Sequence, residues 1–203
     1  MTAIVEDMFF GAPFGGLIPL AQGAVLATLL RTSTPLTGRQ VHALVSDDYS
    51  LWSVQEALKK LTQLGLVNSR TVGRAGVHTV NEDHVAVAPL RALVDPIAAL
   101  TATLRESIDD DVEIVILFGS VARGEAKISS DIDLAVIAAD GWRGRPDLQD
   151  AVRIRLGNNC DVLVFTHEEF TLLTRSREPV VRAILTDGIA LIGSMSQLVH
   201  QVA

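Results

Sequence analysis

Three short and almost unbroken apolar runs constrain the fold of the C-terminal half of this chain. They cover Val112–Phe118, Ile132–Ala138 and Asp161–Phe165. Strands that are buried on both faces have this continuous pattern, whereas half-exposed strands alternate between apolar and polar residues. Helical patterns lie between or after the runs at Pro146–Leu156, His167–Arg175 and Pro179–Thr186, and residues 187–193 form a turn and a short strand. This order predicts an α/β arrangement around a small sheet.

A glycine–serine pair follows the first apolar run. Gly119 and Ser120 stand where the strand is expected to end and a helix to begin. The first turn of a helix has free backbone N–H groups and a partial positive charge, so it binds anions. Glycine lets a phosphate approach the backbone closely, and the serine hydroxyl adds a donor. The pair therefore predicts a phosphate-binding turn.

Aspartates stand at the start of the other two runs. Asp131 and Asp133 are two residues apart, a spacing that puts both carboxylates on one face of a strand, roughly 6–7 Å apart at Cα. Asp161 would join them if its strand is the neighbour of theirs. Carboxylate oxygens suit Mg²⁺, which also keeps substrate phosphates in its shell. Three carboxylates beside a phosphate-binding turn predict a two-metal site, with the ions about 4 Å apart.

These residues carry a resemblance to a known family. The run GSVARGEAKISSDIDLAV at 119–136 resembles the G-S-x-A-R-G…S-D-x-D-L signature of the minimal nucleotidyltransferases, the smallest members of the DNA polymerase beta-like nucleotidyltransferase superfamily. The layout of residues 95–193 is similar too, and Asp161 stands where the family has its third carboxylate. The resemblance implies transfer of a nucleoside monophosphate from an NTP to an acceptor hydroxyl, with two Mg²⁺ or Mn²⁺ ions and release of pyrophosphate.

The resemblance also implies roles for individual residues. Gly119 and Ser120 would hold the triphosphate, Asp131 and Asp133 would ligate both metal ions, and Asp161 would ligate the catalytic one. Ser130 and Arg123 are further candidates for nucleotide binding, although Arg123 could equally be a structural ion-pair partner. Members of this family often act as antitoxins that modify a small helical toxin protein. The acceptor is left open between a protein, a tRNA 3′ end and a small molecule.

The N-terminal half has a different pattern. Apolar positions at helical spacing predict three helices, at Leu20–Arg31, at Gly38–Val45 after a Thr37 cap, and at Ser50–Leu64 before Gly65. Ser53 and Glu56 predict a capping box within the third helix. Strands are expected at Leu66–Val72 and Val77–Asn81, around the four-residue turn 73–76. Three helices followed by a hairpin is the element order of a winged helix-turn-helix.

This half resembles winged helix-turn-helix regulators of the MarR or ArsR kind, through residues 53–61, 65–67 and the glycines of the hairpin turn. The resemblance implies that the third helix enters the major groove of DNA. Its candidate contacts are Ser50, Trp52, Ser53, Gln55 and Lys59 on the helix, and Arg70 and Arg74 on the wing. The alternative is that such a domain mediates only dimer or domain contacts, and a homodimer stays open.

Charge and cysteine content narrow the partners. The net charge is -7, and residues 1–85 carry six Lys/Arg against seven Asp/Glu, while residues 86–203 carry eleven against seventeen. Neither half has the basic balance of a typical nucleic-acid binder, so any DNA contact must come from a local patch. The single cysteine, Cys160, excludes a disulfide within the chain and fits a reducing cytoplasm. No run is long enough to span a bilayer, so a cytoplasmic protein without a membrane partner is expected.

The sequence thus predicts a chain of mixed α/β class in three parts. A winged helix-turn-helix domain with an apolar lead-in is expected at 1–86, a bridging helical segment at 87–110, and a minimal nucleotidyltransferase domain with a small mixed sheet at 111–203. The predicted function is metal-dependent nucleotidyl transfer. The rival hypothesis is a DNA-binding transcriptional regulator, antitoxin-like in kind, whose second domain senses a nucleotide without turnover.

Overall fold

The computed structural model describes residues 8–127 and 129–199. These residues form two compact units, one of residues 12–98 and one of residues 99–199 together with residues 8–11. The expected boundaries after residues 86 and 110 lie on either side of this division. Helices and two separate sheets make up the fold, so the mixed α/β class is confirmed.

The N-terminal unit has three helices followed by a hairpin. After a short turn of 3-10 helix at Pro13–Gly16, its elements are α1 (Leu20–Leu30), β1 (Leu36–Thr37), α2 (Gly38–Val45), α3 (Leu51–Gln63), β2 (Val67–Val72), β3 (Ala75–Val80) and α4 (Val87–Leu93). The strands form an antiparallel sheet in the order β1-β3-β2. Leu26, Val41, Val54 and Leu61 are fully buried, so each of the first three helices contributes to one core.

The helix caps agree with the prediction at α2 and differ at α3. Thr37 and Gln40 form a capping box at α2, which satisfies backbone N–H groups that have no partner inside the helix. At α3 the cap is Ser50, whose hydroxyl accepts from the Ser53 N–H at 3.2 Å. The capping box predicted for Ser53 and Glu56 was therefore wrong, because Ser53 already lies inside the first turn. Gly65 ends α3 with φ +77°, as expected.

The hairpin is tighter than predicted. Val72 pairs with Ala75, so only Gly73 and Arg74 remain as the turn, and the expected four-residue turn was wrong. The third strand, β1, was not predicted, since two residues are too short to show an alternating pattern. It pairs with β3 through Leu36 and His78.

The C-terminal unit is built around a mixed sheet of four strands. Its elements are α5 (Pro96–Arg105), β4 (Val112–Phe118), α6 (Gly119–Ala122), β5 (Ile132–Ala138), α7 (Arg145–Leu156), β6 (Cys160–Phe165), α8 (His167–Arg175), α9 (Pro179–Asp187), β7 (Ile189–Ile192) and α10 (Ser196–Val199). The strand order is β6-β5-β4-β7. β4 runs antiparallel to both of its neighbours, and β5 runs parallel to β6.

The central strands β4 and β5 carry the most continuous apolar runs because both of their faces are covered. On one face, Ile116 and Ala135 belong to a core that includes Phe170 of α8 and Ile184 of α9. Leu117 and Leu134, which are adjacent to Ile116 and Ala135 in the sequence, point to the other face and are fully buried as well. The sheet is thus the rigid layer from whose end the candidate site residues project.

The apolar lead-in predicted at the start of the chain contributes residues to both units. Within the C-terminal unit, the backbone of Met8 exchanges two hydrogen bonds with the amide of Asn158, at 3.2 and 3.0 Å. Phe14 is buried in the core of the N-terminal unit. Among the described residues, no single helix is both long and apolar enough to cross a bilayer.

Candidate functional site

The three predicted carboxylates come together at one end of the four-stranded sheet. Asp133 pairs with Asp161 in the parallel register of β5 and β6, and with Phe118 at the end of β4. Residues paired across neighbouring strands point to the same face of a sheet, so the Asp133 and Asp161 carboxylates are neighbours. Asp131 immediately precedes β5. The condition set from the sequence, that the strand of Asp161 should lie beside that of Asp133, is met.

Burial and mutual repulsion both act on the central carboxylate of this group. Burial raises the pKa of Asp133 above its ordinary value, and the charges of Asp161 and Asp131 raise it further, while Arg123 opposes the shift. Asp131 and Asp161 are exposed, whereas Asp133 is half-buried. Three carboxylates held this close are disfavoured in their charged form unless a positive charge lies among them.

The three aspartates suit a divalent cation because their ligand atoms are carboxylate oxygens, although their side chains do not form a preformed coordination shell. In the described part of the chain, no three His, Cys, Asp or Glu side chains are arranged to hold a metal ion as they stand. The donor set consists of hard oxygen ligands, which suit Mg²⁺ or Mn²⁺. A cation would also relieve the repulsion that raises the pKa of Asp133.

Gly119 is required beside Asp133 for two reasons. Its φ of +73° lies in the left-handed region that side chains disfavour. A Cβ atom at this position would lie 2.0 Å from Oδ2 of Asp133. The backbone at the end of β4 therefore touches the carboxylate of β5 directly. A phosphate on this turn would be next to the aspartates.

The turn after β4 offers backbone and hydroxyl donors. The helix α6 has only four residues, Gly119–Ala122, so its dipole is small and the predicted anion site depends on individual N–H groups. The Ser120 hydroxyl is half-buried and forms no hydrogen bond with any described residue. Ser130 closes the following loop, because its hydroxyl accepts from the Lys127 N–H at 2.8 Å. The Ser130 proton remains available to a ligand.

Arg123 is engaged in an ion pair. Its Nε donates to Glu125 at 2.8 Å, and this hydrogen bond is the main reason that the pKa of Arg123 is raised; Asp187 and Asp133 contribute more weakly. Of the two alternatives left open by the sequence, the ion pair is present. Sequence reasoning missed both Glu125 and Asp187. Glu125 stands two residues after Arg123, which was a visible signal, whereas Asp187 is brought near only by the packing of α9.

A cavity of about 410 Å³ lies beside Asp131 and Asp161, and the glycine turn does not line it. It is lined by Asp131, Gln149, Asp150, Arg153, Asn159, Cys160 and Asp161. The Gln149 amide donates to the Cys160 carbonyl at 2.6 Å and so ties α7 to the first residue of β6. Gln149 and Arg153 had no sequence signal, since they look like ordinary polar positions on a helix surface.

The predicted DNA contacts are divided among different places in the N-terminal unit. Gln55, Lys59 and Arg74 line one cavity of about 760 Å³ together with Arg39. Arg70 is exposed on β2, but it points away from this cavity because its neighbour Ser69 lines it. The cavity joins α3 to the hairpin through three of the seven predicted residues.

The remaining candidates lie near the start of α3. Trp52 is 72% exposed, and with Ser53 it lines a second cavity that also includes Leu20 and Tyr49 and that shares Lys59 with the first. The Ser50 hydroxyl is occupied as the cap of α3 and bonds Ser53 at 2.9 Å. Ser50, Trp52 and Ser53 therefore do not share the cavity of Gln55 and Arg74.

Comparison with known families supports the resemblance of the C-terminal half. Residues 100–196 match the family described as polymerase beta, nucleotidyltransferase. This stretch includes the glycine–serine turn and all three aspartates. Residues 100–196 are therefore nucleotidyltransferase-like, as their motifs predicted. The comparison with curated proteins gives no match.

Several solved structures are similar over about half of the chain. A crystal structure of a toxin–antitoxin with AMP-PNP is 25% identical, covers 53% of this chain and 81% of its own, and has a TM-score of 0.40. A tri-AMPylated Shewanella oneidensis HEPN toxin in complex with MNT antitoxin is 24% identical, with 52% and 76% coverage and a TM-score of 0.36.

Proposed function

We propose that the C-terminal unit transfers a nucleoside monophosphate from an NTP to an acceptor hydroxyl, with Asp131, Asp133 and Asp161 as the metal-binding residues. The observation that carries the proposal is the contact of two elements at one sheet end. Asp133 lies beside Asp161 in register, and Gly119 lies against the Asp133 carboxylate. A phosphate-binding turn and a carboxylate group are both needed for phosphoryl chemistry, and here they touch.

The geometry suggests where each reactant is bound. The triphosphate occupies the side of Gly119, where backbone N–H groups, the Ser120 hydroxyl and Ser130 can donate to its oxygens. The acceptor occupies the cavity lined by Asp131 and Asp161, which the glycine turn does not line. An in-line displacement needs the attacking and leaving oxygens on opposite sides of the phosphorus, so we expect the acceptor and the triphosphate to approach the aspartates from different sides.

The chain contributes mainly position and charge. Bound divalent ions would neutralise the phosphate oxygens and favour the attacking hydroxylate. Asp133 lies on β5, between β4 and β6, and its position fixes the arrangement of the three carboxylates. Asp161 is next to the incoming hydroxyl and lowers the free energy needed to remove the proton of that hydroxyl. Arg123, paired to Glu125, keeps the loop after α6 in place. Positioning of this kind accounts for much of the rate in nucleotidyl transfer.

Calorimetric titration of the full chain with NTPs and Mg²⁺ tests this proposal. Wild type is expected to bind, and the double variant D131N/D133N to lose binding, because the carboxylates that share the cation are gone. D140N is the matched control, since Asp140 is exposed after the far end of β5. If the folded wild type binds no NTP with either Mg²⁺ or Mn²⁺, the enzyme proposal fails. Pyrophosphate release with a supplied acceptor (a protein, a tRNA or a small hydroxyl compound) then separates turnover from nucleotide sensing.

A second candidate function is DNA binding by the N-terminal unit, which we propose to be a winged helix-turn-helix. The observation that favours it is the cavity where Arg39, Lys59 and Arg74 bring three cations together between α3 and the hairpin. Local positive charge of this kind is what phosphate contacts need in a chain whose net charge is negative. Salt-dependent binding of duplex DNA that survives D131N supports the regulator. Absence of DNA binding at low salt leaves the unit with a role in protein contacts.

A further inference from the structure

Another cavity of the C-terminal unit lies between α8 and α9. Its volume is about 350 Å³, and its lining residues are Thr174, Arg177, Glu178, Arg182, Leu185 and Thr186. The two arginines come from different elements: Arg177 from the turn after α8 and Arg182 from the second turn of α9. No role in the proposed reaction has been given to either of them.

The positive charge of this cavity has no partner in the described part of the chain. The guanidinium groups of Arg177 and Arg182 form neither an ion pair nor a side-chain hydrogen bond there. Glu178 is the single carboxylate of the lining, and it is not within ion-pair distance of either arginine. Both arginine side chains are exposed, so the cavity presents two guanidinium groups that pair with no carboxylate of the described residues.

The backbone at Arg177 is strained as well. Its φ is +59°, in the left-handed region. Two backbone hydrogen bonds close the turn. The N–H of Arg177 donates to the Thr174 carbonyl at 3.2 Å, and the N–H of Glu178 donates to the Leu173 carbonyl at 3.1 Å. This is the helix C-terminus at which glycine is the usual residue, because glycine has no Cβ to strain. A strained non-glycine residue in a cavity points to a role for its side chain.

The donors that face the cavity are almost entirely guanidinium N–H groups. The Thr174 hydroxyl donates to the Phe170 carbonyl at 2.8 Å, and the Thr186 hydroxyl donates to the Arg182 carbonyl at 2.9 Å. Both threonines can therefore only accept. Two unpaired guanidinium groups bind an oxyanion through charge-assisted, paired hydrogen bonds.

We propose that Arg177 and Arg182 form a binding site for a phosphate group. The choice of phosphate rests on the proposed function, because Thr186 is followed by Asp187, whose charge acts on Arg123 in the loop after the phosphate-binding turn. The group bound is either a distal phosphate of the NTP or a phosphate of the acceptor. These two sources share one chemistry and differ in whether the NTP competes for the site.

Titration calorimetry of the full chain with inorganic pyrophosphate, in EDTA, tests the site without the metal-binding aspartates. Wild type is expected to bind, and R182Q to lose at least about tenfold in affinity, since two charge-assisted hydrogen bonds are removed. R182K should recover part of the loss, because it restores charge without the planar fork. R175Q is the control: Arg175 is exposed on α8 and does not line the cavity. If R175Q and R182Q lose the same pyrophosphate affinity, the effect comes from net charge alone and the proposal is overturned. The proposal is also overturned if wild type does not bind pyrophosphate.

R177G gives a test in which stability and binding change in opposite directions. Glycine removes the strain at φ +59°, so we expect Tm to rise by roughly 2–4 °C. The same variant removes one guanidinium, so pyrophosphate affinity should fall at least about tenfold. A purely structural arginine gives a different result, in which R177G leaves affinity unchanged or lowers Tm. Either of those results overturns the proposal.

Competition separates the two sources of the phosphate. If the site holds a distal phosphate of the NTP, Mg²⁺–NTP displaces pyrophosphate and R182Q also weakens NTP binding. If it holds a phosphate of the acceptor, pyrophosphate still binds to the NTP-saturated chain with the affinity of the free chain. Failure of NTP binding in wild type with intact pyrophosphate binding sinks the proposed enzyme while the anion site stands.

Discussion

At the residue scale, Gly119 shows how closely the turn after β4 approaches the aspartates. The chain provides an internal comparison, because Gly124 has nearly the same left-handed φ, +71° against +73°. A Cβ at Gly124 would meet nothing within 4 Å, whereas one at Gly119 would meet Oδ2 of Asp133 at 2.0 Å. The two positions separate backbone strain from collision with the site.

The glycine comparison leads to the first prediction. G124A should cost roughly 1–2 kcal/mol in the free energy of unfolding, through backbone strain alone, and keep nucleotide binding. G119A carries the same strain and also displaces the Asp133 carboxylate, so we expect it to abolish Mg²⁺–NTP binding. Urea unfolding and calorimetry on both variants provide the measurements. Retention of NTP binding in G119A at wild-type affinity would show that Asp133 does not need its observed position.

Cys160 gives a second residue-scale prediction, on pH dependence. Burial, together with the charges of Asp161, Asp133 and Asp131, raises the pKa of its thiol to about 12. Only about one thiol in ten thousand is then a thiolate at pH 8, and the thiolate is the reactive form. We expect the folded chain to resist alkylation at pH 8, to react faster as pH rises towards 12, and to react fully in guanidinium. Rapid labelling of the folded chain at pH 8 would contradict the buried, inert assignment.

At the element scale, the hairpin and α3 act as one surface because β2 and β3 alternate their side chains between two faces. Ser69 and His78 are paired and line the same cavity as Lys59 and Arg74, while Arg70 points the other way. Arg70 and Arg74, which are four residues apart in the hairpin, therefore lie on different faces. A sequence pattern alone treats them as equivalent wing residues.

This difference predicts unequal effects on DNA binding, if the N-terminal unit binds DNA as proposed. R74Q and K59Q should each weaken binding at every sequence and reduce the salt slope by about one unit, because each removes a phosphate contact. R70Q removes the same charge from the opposite face and should have a smaller effect. Fluorescence anisotropy over a series of salt concentrations measures both quantities. Equal losses in R70Q and R74Q would place DNA elsewhere on the unit.

At the scale of the whole molecule, the C-terminal unit includes a segment from the other end of the chain. Asn158 is almost fully buried, at 1% exposure, and its amide oxygen and nitrogen are both satisfied by the backbone of Met8. Buried amide groups without partners are costly. Residues 8–11 therefore serve as structural parts of the C-terminal unit, which a domain boundary drawn along the sequence would separate.

The Met8–Asn158 pair predicts a non-additive loss of stability. N158A should cost about 1–3 kcal/mol in the free energy of unfolding of the C-terminal unit, because polar groups of Met8 lose their partner. Deletion of residues 1–11 should cost a similar amount, and N158A should add little in the truncated chain, since the contact is already absent. Chemical denaturation of wild type, N158A, the truncated chain and the truncated chain with N158A measures the four free energies of unfolding that this comparison needs. Fully additive losses would mean that the two residues stabilise the unit independently.

Local patterns were sufficient for most elements. The spans of β4, β5, α2 and α8 agree with the sequence prediction residue for residue, because a buried strand or an amphipathic helix needs its apolar period along its own length. The glycine–serine turn and the aspartate pair were also visible in the sequence, since each depends on residues that are close along the chain. Short elements such as β1 and the two-residue turn at Gly73 were not predicted, because their partners are distant in the sequence or they are too short to show a hydrophobic period.

Tertiary structure alone decided which distant residues meet. The sequence determined that Asp131, Asp133 and Asp161 stand at the starts of strands, but the register that pairs Asp133 with Asp161 follows from strand order in the sheet. Packing also brings together three other sets of distant residues: Asp187 with Arg123, Met8 with Asn158, and Arg177 with Arg182 in the lining of one cavity. Periodicity records which face of an element is buried, whereas the neighbour of that face is chosen by the free energy of the whole packed chain.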